Sequence, residues 1–164
     1  MNNTVSILGV AIALTIAAGH ASAEDKEPTA IIAIGAAGEW GLPGPASFGP
    51  SVSVEFTAIK DWLEIEIGGA SLFRRGTKEY EADLIFKKPF TLSNTVELMV
   101  GAGPSVSYTT AGDGPKWGAT FALDFMFWPW PERKLGWFVE PTYTMSQGNE
   151  KSLAVSVGLL VAIP

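Results

Sequence analysis

Trp117-Gly-Ala-Thr-Phe-Ala-Leu-Asp-Phe-Met-Phe-Trp-Pro-Trp-Pro131 is the stretch that decides the fold. Read in twos, it sets Trp117, Ala119, Phe121, Leu123, Phe125 and Phe127 against Gly118, Thr120, Ala122, Asp124 and Met126. A period of two belongs to an extended strand, whose successive side chains leave opposite faces. One face is large and apolar; the other is small and carries a carboxylate. Pro129 and Pro131 end the run, because proline cannot continue a hydrogen-bonded ladder.

The same alternation recurs on both sides of this stretch. Strands are expected over 29–40, 50–59, 62–73, 79–87 and 95–108, then the opening stretch, then 135–147 and 151–162. Val52, Val54 and Phe56 oppose Ser51, Ser53 and Glu55, and Leu63, Ile65 and Ile67 oppose Glu64, Glu66 and Gly68. Tyr80, Ala82, Leu84 and Phe86 likewise oppose Glu81 and Asp83, and Val155, Val157 and Leu159 oppose Ser156 and Gly158. No stretch after residue 23 has a helical period. Eight antiparallel strands with short links predict an all-β fold, an eight-stranded up-and-down β-barrel. Pro104 falls near a strand end, whereas Pro141 falls inside the seventh strand and predicts a bulge there.

Residues 1–23 read differently. They are apolar from Val5 to Ala18 and close on Ala21-Ser22-Ala23, the pattern of a cleaved secretory signal peptide. The apolar run is shorter than the roughly 20 residues a spanning helix needs. Residues 24–164 are then expected to form a single barrel domain. That exported part has no cysteine, and the one histidine of the chain, His20, lies in the leader. A net charge of -6 argues against nucleic acid as a partner.

Alternation alone does not say which face meets water. A soluble, lipocalin-like periplasmic barrel that binds a ligand would turn its apolar face inward, and a transmembrane barrel turns it outward. Side-chain size favours the second reading. The polar face is mostly Gly, Ala, Ser and Thr, which suits the narrow interior of an eight-stranded barrel. Trp40, Trp62, Tyr80, Tyr108, Trp117, Trp128, Trp130 and Trp137 all fall near strand ends, where interfacial aromatic girdles stand.

Signal peptide, eight strands and end-of-strand aromatics together resemble the small outer-membrane barrels of the OmpA/OmpX type. The resemblance covers the whole exported chain as architecture rather than as motif. It implies insertion in the outer membrane of a Gram-negative bacterium, with both termini in the periplasm. The links at 60–61, 88–94 and 130–134 would then face the periplasm and the other four the outside. Outer-membrane lipid is the expected partner, and the protein is expected to be a monomer. The basic link carrying Arg74, Arg75 and Lys78 is placed to meet lipopolysaccharide phosphates.

Catalysis is not expected. The barrel region lacks the histidine that esterase-type and acyl-transfer sites use as a base, and neither cofactor nor a histidine or cysteine metal site is anticipated. Its acidic residues call for an account. Glu39, Glu55, Glu64, Glu66, Glu81, Asp83, Glu97, Asp124 and Glu140 all fall on the inferred lumen face, with Lys87 and Lys116 as bases near opposite rims. Such a group must be hydrated, partly protonated, paired with a base, or occupied by a cation. The resulting expectation is a structural envelope barrel, with a narrow cation-binding or cation-selective pore as the further alternative.

Overall fold

The computed structural model describes residues 28–42, 44–74, 76–112 and 114–163. The signal peptide read over 1–23 lies outside them, as do the charged residues 24–27 and Arg75. Eight strands follow in order: β1 (Ala30–Gly41), β2 (Ala46–Ile59), β3 (Leu63–Arg74), β4 (Thr77–Thr91), β5 (Val96–Thr109), β6 (Pro115–Phe127), β7 (Leu135–Ser146) and β8 (Glu150–Ile163). Each is antiparallel to its neighbours, and β1 pairs with β8 from Ala30–Ile163 to Gly41–Ser152, closing the barrel. All eight expected strands are present.

The register fixes the barrel's shape. Ala30 faces Phe56, then the circuit runs through Ile65, Phe86, Ala102, Phe121, Tyr143 and Leu153. Leu153 faces Trp40, so the circuit re-enters β1 displaced along the strand from Ala30 to Trp40. A stagger of that size over eight strands tilts them by roughly 40° to the axis and leaves an interior that side chains just fill.

Two boundaries differ from the sequence reading. β2 starts at Ala46, so the first link shrinks to residues 42–45, because Ser47 and Gly49 already continue the small inward face. β4 runs past Lys87 to Thr91. Its pairing with β3 ends at Glu64–Lys87, so Pro89 lies where its missing N–H interrupts no β3 ladder.

The bulge expected at Pro141 is absent. Phe125–Val139 and Ala122–Thr142 keep one register across it, and the β8 ladder runs unbroken through Pro141–Val155. The proline omits its donor bond to β6 without adding a residue, so pairing lapses locally and alignment survives. Pro104 does the same between Asp83–Ser105 and Phe86–Ala102, and Pro50 between Phe48–Phe73 and Ser51–Ala70. Among the described residues the register shifts between Thr57 and Ile59, beside the turn where Asp61 takes a positive φ of 58°.

The links 42–45, 75–76, 110–114 and 147–149 gather at one end, here the loop end. The opposite, terminal end carries both ends of the barrel chain and the links 60–62, 92–95 and 128–134. Contrary to the usual pattern of small barrels, the longest link is at the terminal end.

Large apolar side chains stand outside. Val52, Ile67, Phe86, Val100, Phe121, Leu123, Val157 and Leu159 are all exposed on the outer wall, Leu159 to 66%. Trp40, Tyr80, Tyr108 and Trp117 ring the loop end of this belt, and Trp62, Trp130 and Trp137 the terminal end. Trp137 stacks on Phe127 with centroids 3.8 Å apart, and Trp40 meets Phe48 edge-on. Burial of the apolar face inside, as a soluble ligand-binding barrel requires, is not what this chain does.

Candidate functional site in the barrel lumen

Trp128 departs from its expected place in the girdle. It is 1% exposed and packs inside the barrel with Ala33, Met99, Met126, Phe138 and Leu160. Parity explains the difference: Asp124, Met126 and Trp128 lie two apart, so the residue after β6 keeps the inward direction of the strand. Its backbone N–H donates to the Thr95 carbonyl at 2.8 Å, which holds the chain in strand direction for one residue more. The result is an apolar plug across the terminal half of the lumen.

Directly on the loop side of that plug, five strands bring charge together. Lys87 from β4 is fully buried, at 0% exposed. Its ammonium donates to Glu140 at 2.7 Å, Glu66 at 2.9 Å and Asp124 at 3.1 Å, and Glu55 stands 3.6 Å away. The four carboxylates come from β2, β3, β6 and β7. Gly101 on neighbouring β5 makes the room: a Cβ there would lie 2.7 Å from Lys87 Cγ and 2.8 Å from the Phe86 carbonyl oxygen.

The charges do not balance. Oxygens of Glu55, Glu66 and Asp124 lie within 4.8 Å of one another, so each ionised pair repels by at least about 3.5 kcal/mol at an effective dielectric of 20. Each contact to the lysine attracts by roughly 5–6 kcal/mol on the same basis, before the cost of desolvating every group. One ammonium therefore gathers the carboxylates without neutralising them. Both oxygens of Glu55 and Oδ1 of Asp124 are buried without a hydrogen-bond partner.

Above the cluster the lumen widens into a vestibule of about 650 Å³ that opens among the loop-end links. Glu66 and Glu140 reach its floor, while Glu39, Glu79, Glu81 and Asp83 line its wall with Ser51, Ser105 and Ser107. At its mouth Lys116 pairs with Glu150 at 2.6 Å. Below the plug, at the terminal end, Arg133 reaches Glu97 at 3.4 Å beside Glu64 and Asp61.

The nine acids expected on the lumen face thus divide. Glu55, Glu66, Asp124 and Glu140 meet at Lys87; Glu39, Glu81 and Asp83 stand in the vestibule; Glu64 and Glu97 belong to the terminal mouth. Lys87 lies in the interior and not near a rim, because β4 continues past it to Thr91. The continued alternation through Lys88, Pro89, Phe90 and Thr91 is the signal that places it in the interior.

Comparison with known proteins adds the architecture. No family model matches the chain, and no curated protein matches it significantly. Among solved structures it is similar to Neisserial surface protein A, at 16% identity and a TM-score of 0.69, covering 82% of this chain and 97% of that one. It is also similar to the outer membrane protein OprG from Pseudomonas aeruginosa, at 12% identity and a TM-score of 0.60, covering 84% and 97%. The fold is that of the small outer-membrane β-barrels. This barrel shares it as well with the outer membrane enzyme PagL, at 12% identity and a TM-score of 0.54 over 80% of this chain and 99% of that one, so the fold itself is compatible with catalysis.

Proposed function

We propose that this protein is a monomeric, non-catalytic barrel of the Gram-negative outer membrane that serves the envelope structurally and does not conduct. The observation that carries the reading is the pairing of an outward apolar belt with a lumen stopped by Trp128 and its neighbours. Exposed apolar residues in a continuous band are stable only against acyl chains, and aromatic rings at both ends suit the headgroup levels. Links of only a few residues at the loop end leave little surface for adhesion, which favours a role within the membrane. On this reading the loop end faces outward, where Arg74 and Lys78 are exposed beside phosphorylated lipid. The barrel region lacks the histidine base that esterase-type sites use.

Membrane fractionation with heat-modifiable gel migration tests the first half. The folded barrel is expected in the detergent-extracted outer-membrane fraction and should migrate differently before and after boiling. Recovery from the soluble periplasm without detergent refutes it. Planar-bilayer recordings test the second half: the folded protein is expected to be silent, and single-channel steps altered by Glu64→Gln or Glu97→Gln would establish a cation pore instead.

A further inference from the structure

We infer that the vestibule binds a linear organic polycation, a chain of ammonium groups joined by short aliphatic segments, admitted from the loop end. The plugged, non-conducting barrel stands as proposed, with an occupant above the plug. Glu79, Glu81 and Asp83 take consecutive inward positions of β4, and Glu39 reaches across from β1 until its carboxyl meets that of Glu81. All four line the vestibule. Among the described residues no lysine or arginine forms an ion pair with any of them: Lys87 is held by the deeper acids, Lys116 by Glu150 and Arg133 by Glu97. Arg74, at the mouth, donates to the Pro45 carbonyl at 3.5 Å. The deeper acids have an ammonium of the chain among them, and these do not.

A hydroxyl adds a second, independent sign. Ser47 on β2 lines the same space and is only 5% exposed, yet among the described residues its side chain makes no hydrogen bond. Ser51 follows it on the inward face of β2, and its Oγ is buried without a partner. Polar groups withdrawn from water are normally satisfied. An ammonium carries several N–H donors, so it can serve hydroxyl and carboxylate oxygens together.

Shape selects a chain of charges over a single one. The vestibule measures about 650 Å³, and sites for small organic molecules span about 300–1,000 Å³. It is narrow, as the interior of an eight-stranded barrel must be. Inward positions of one strand recur every 7 Å or so, which spreads Glu79, Glu81 and Asp83 over about 13 Å. One compact ion cannot meet all three, whereas ammonium groups strung along an aliphatic chain can. Ala33, Ala37, Ala70 and Leu72 stand on the same walls and suit the aliphatic segments. A cleft lined by one sign of charge also raises the local concentration of the opposite sign.

Isothermal titration of the tetraamine spermine into the barrel folded in non-ionic detergent, with folding checked by heat-modifiable migration, reads the site directly. One spermine should bind per barrel and saturate, and the shorter diamine putrescine should bind at least tenfold more weakly. Glu81→Gln and Asp83→Asn should each weaken spermine binding at least tenfold, and Glu132→Gln in the exposed terminal-end link should leave it unchanged. Absence of saturable binding to the folded wild type overturns the inference, as do equal affinities for spermine and Mg²⁺, or binding that both luminal variants retain at full strength. Should those variants fail to fold, nitroxide-labelled spermine added to the wild type still decides. Paramagnetic broadening that begins at the Glu81, Asp83 and Ser105 amide resonances supports the site, and broadening confined to Glu64 and Glu97 overturns it. Membrane insertion and conductance enter none of these readings, so they fail or succeed apart from the tests of the proposed function.

Discussion

Replacing Lys87 by methionine removes one ammonium and leaves the length of its stem almost unchanged. The lysine touches Glu140, Glu66 and Asp124 at 2.7, 2.9 and 3.1 Å, and it is the group that brings carboxylates from β2, β3, β6 and β7 to one point. Removing one partner of a buried ion pair costs about 3–5 kcal/mol, because the other charge is left without compensation. Here several carboxylates lose that partner at once, so a loss within this range is expected. Urea unfolding of the barrel in lipid vesicles, followed by tryptophan fluorescence and by loss of heat-modifiable migration, gives the difference in unfolding free energy. A double-mutant cycle with Asp124→Asn sharpens it: the two changes should couple by about 1–3 kcal/mol, the second being far less damaging once the lysine is gone. A Lys87→Met barrel within about 0.5 kcal/mol of wild type, the range of an ordinary surface change, would refute the central place given to this cluster.

Trp128→Ala empties the plug and should cost about 3–5 kcal/mol in the same unfolding assay. It should also let small ions leak from vesicles that the wild type keeps sealed; equal leakage from both would show that Trp128 does not close the lumen. Val157→Arg places a cation near the middle of β8 on the outer wall, where Val157 is exposed, and should cost about 2–4 kcal/mol in a bilayer. A soluble protein would tolerate that change within about 0.5 kcal/mol, so an unaltered midpoint in vesicles argues against lipid contact. Gly101→Val should fold poorly, losing about 1–3 kcal/mol or more, because its Cβ has 2.7 Å to Lys87 Cγ and 2.8 Å to backbone oxygen.

Much of this fold is legible because a barrel wall obeys one rule along its whole length. Alternation in 117–127 assigns Phe121 and Leu123 outward and Asp124 inward, and the register bears out each direction. Three features escape that rule for separate reasons. Pro141 looks like a ladder defect in sequence, but whether a missing donor becomes a bulge depends on the partner strands, and here β6 and β8 hold their alignment. Trp128 follows a strand that is already turning, and its amphipathic ring suits a headgroup layer as well as a core; only its parity with Met126 separates the two. The meeting of Glu55, Glu66, Asp124 and Glu140 at Lys87 depends on the stagger between strands. Parity names the face of a residue, whereas height along the axis comes from five registers that no single strand encodes.

The same cluster also bears on why these registers are unique. In a bilayer the outer face gains little from the choice between neighbouring apolar residues, so apolar burial alone discriminates weakly between alignments. A one-residue slip of a strand turns its inward set outward. For β2, β3, β4, β6 or β7 that slip would carry Glu55, Glu66, Lys87, Asp124 or Glu140 toward lipid and separate it from its partners. A two-residue slip keeps the face but shifts the group along the axis by about 7 Å, far beyond hydrogen-bond reach. Small inward residues such as Gly101 and Ala122 would meanwhile exchange places with larger ones in an interior that side chains already fill. A buried charge cluster is weak support for stability by itself, but contributed by five strands it penalises every misalignment among them.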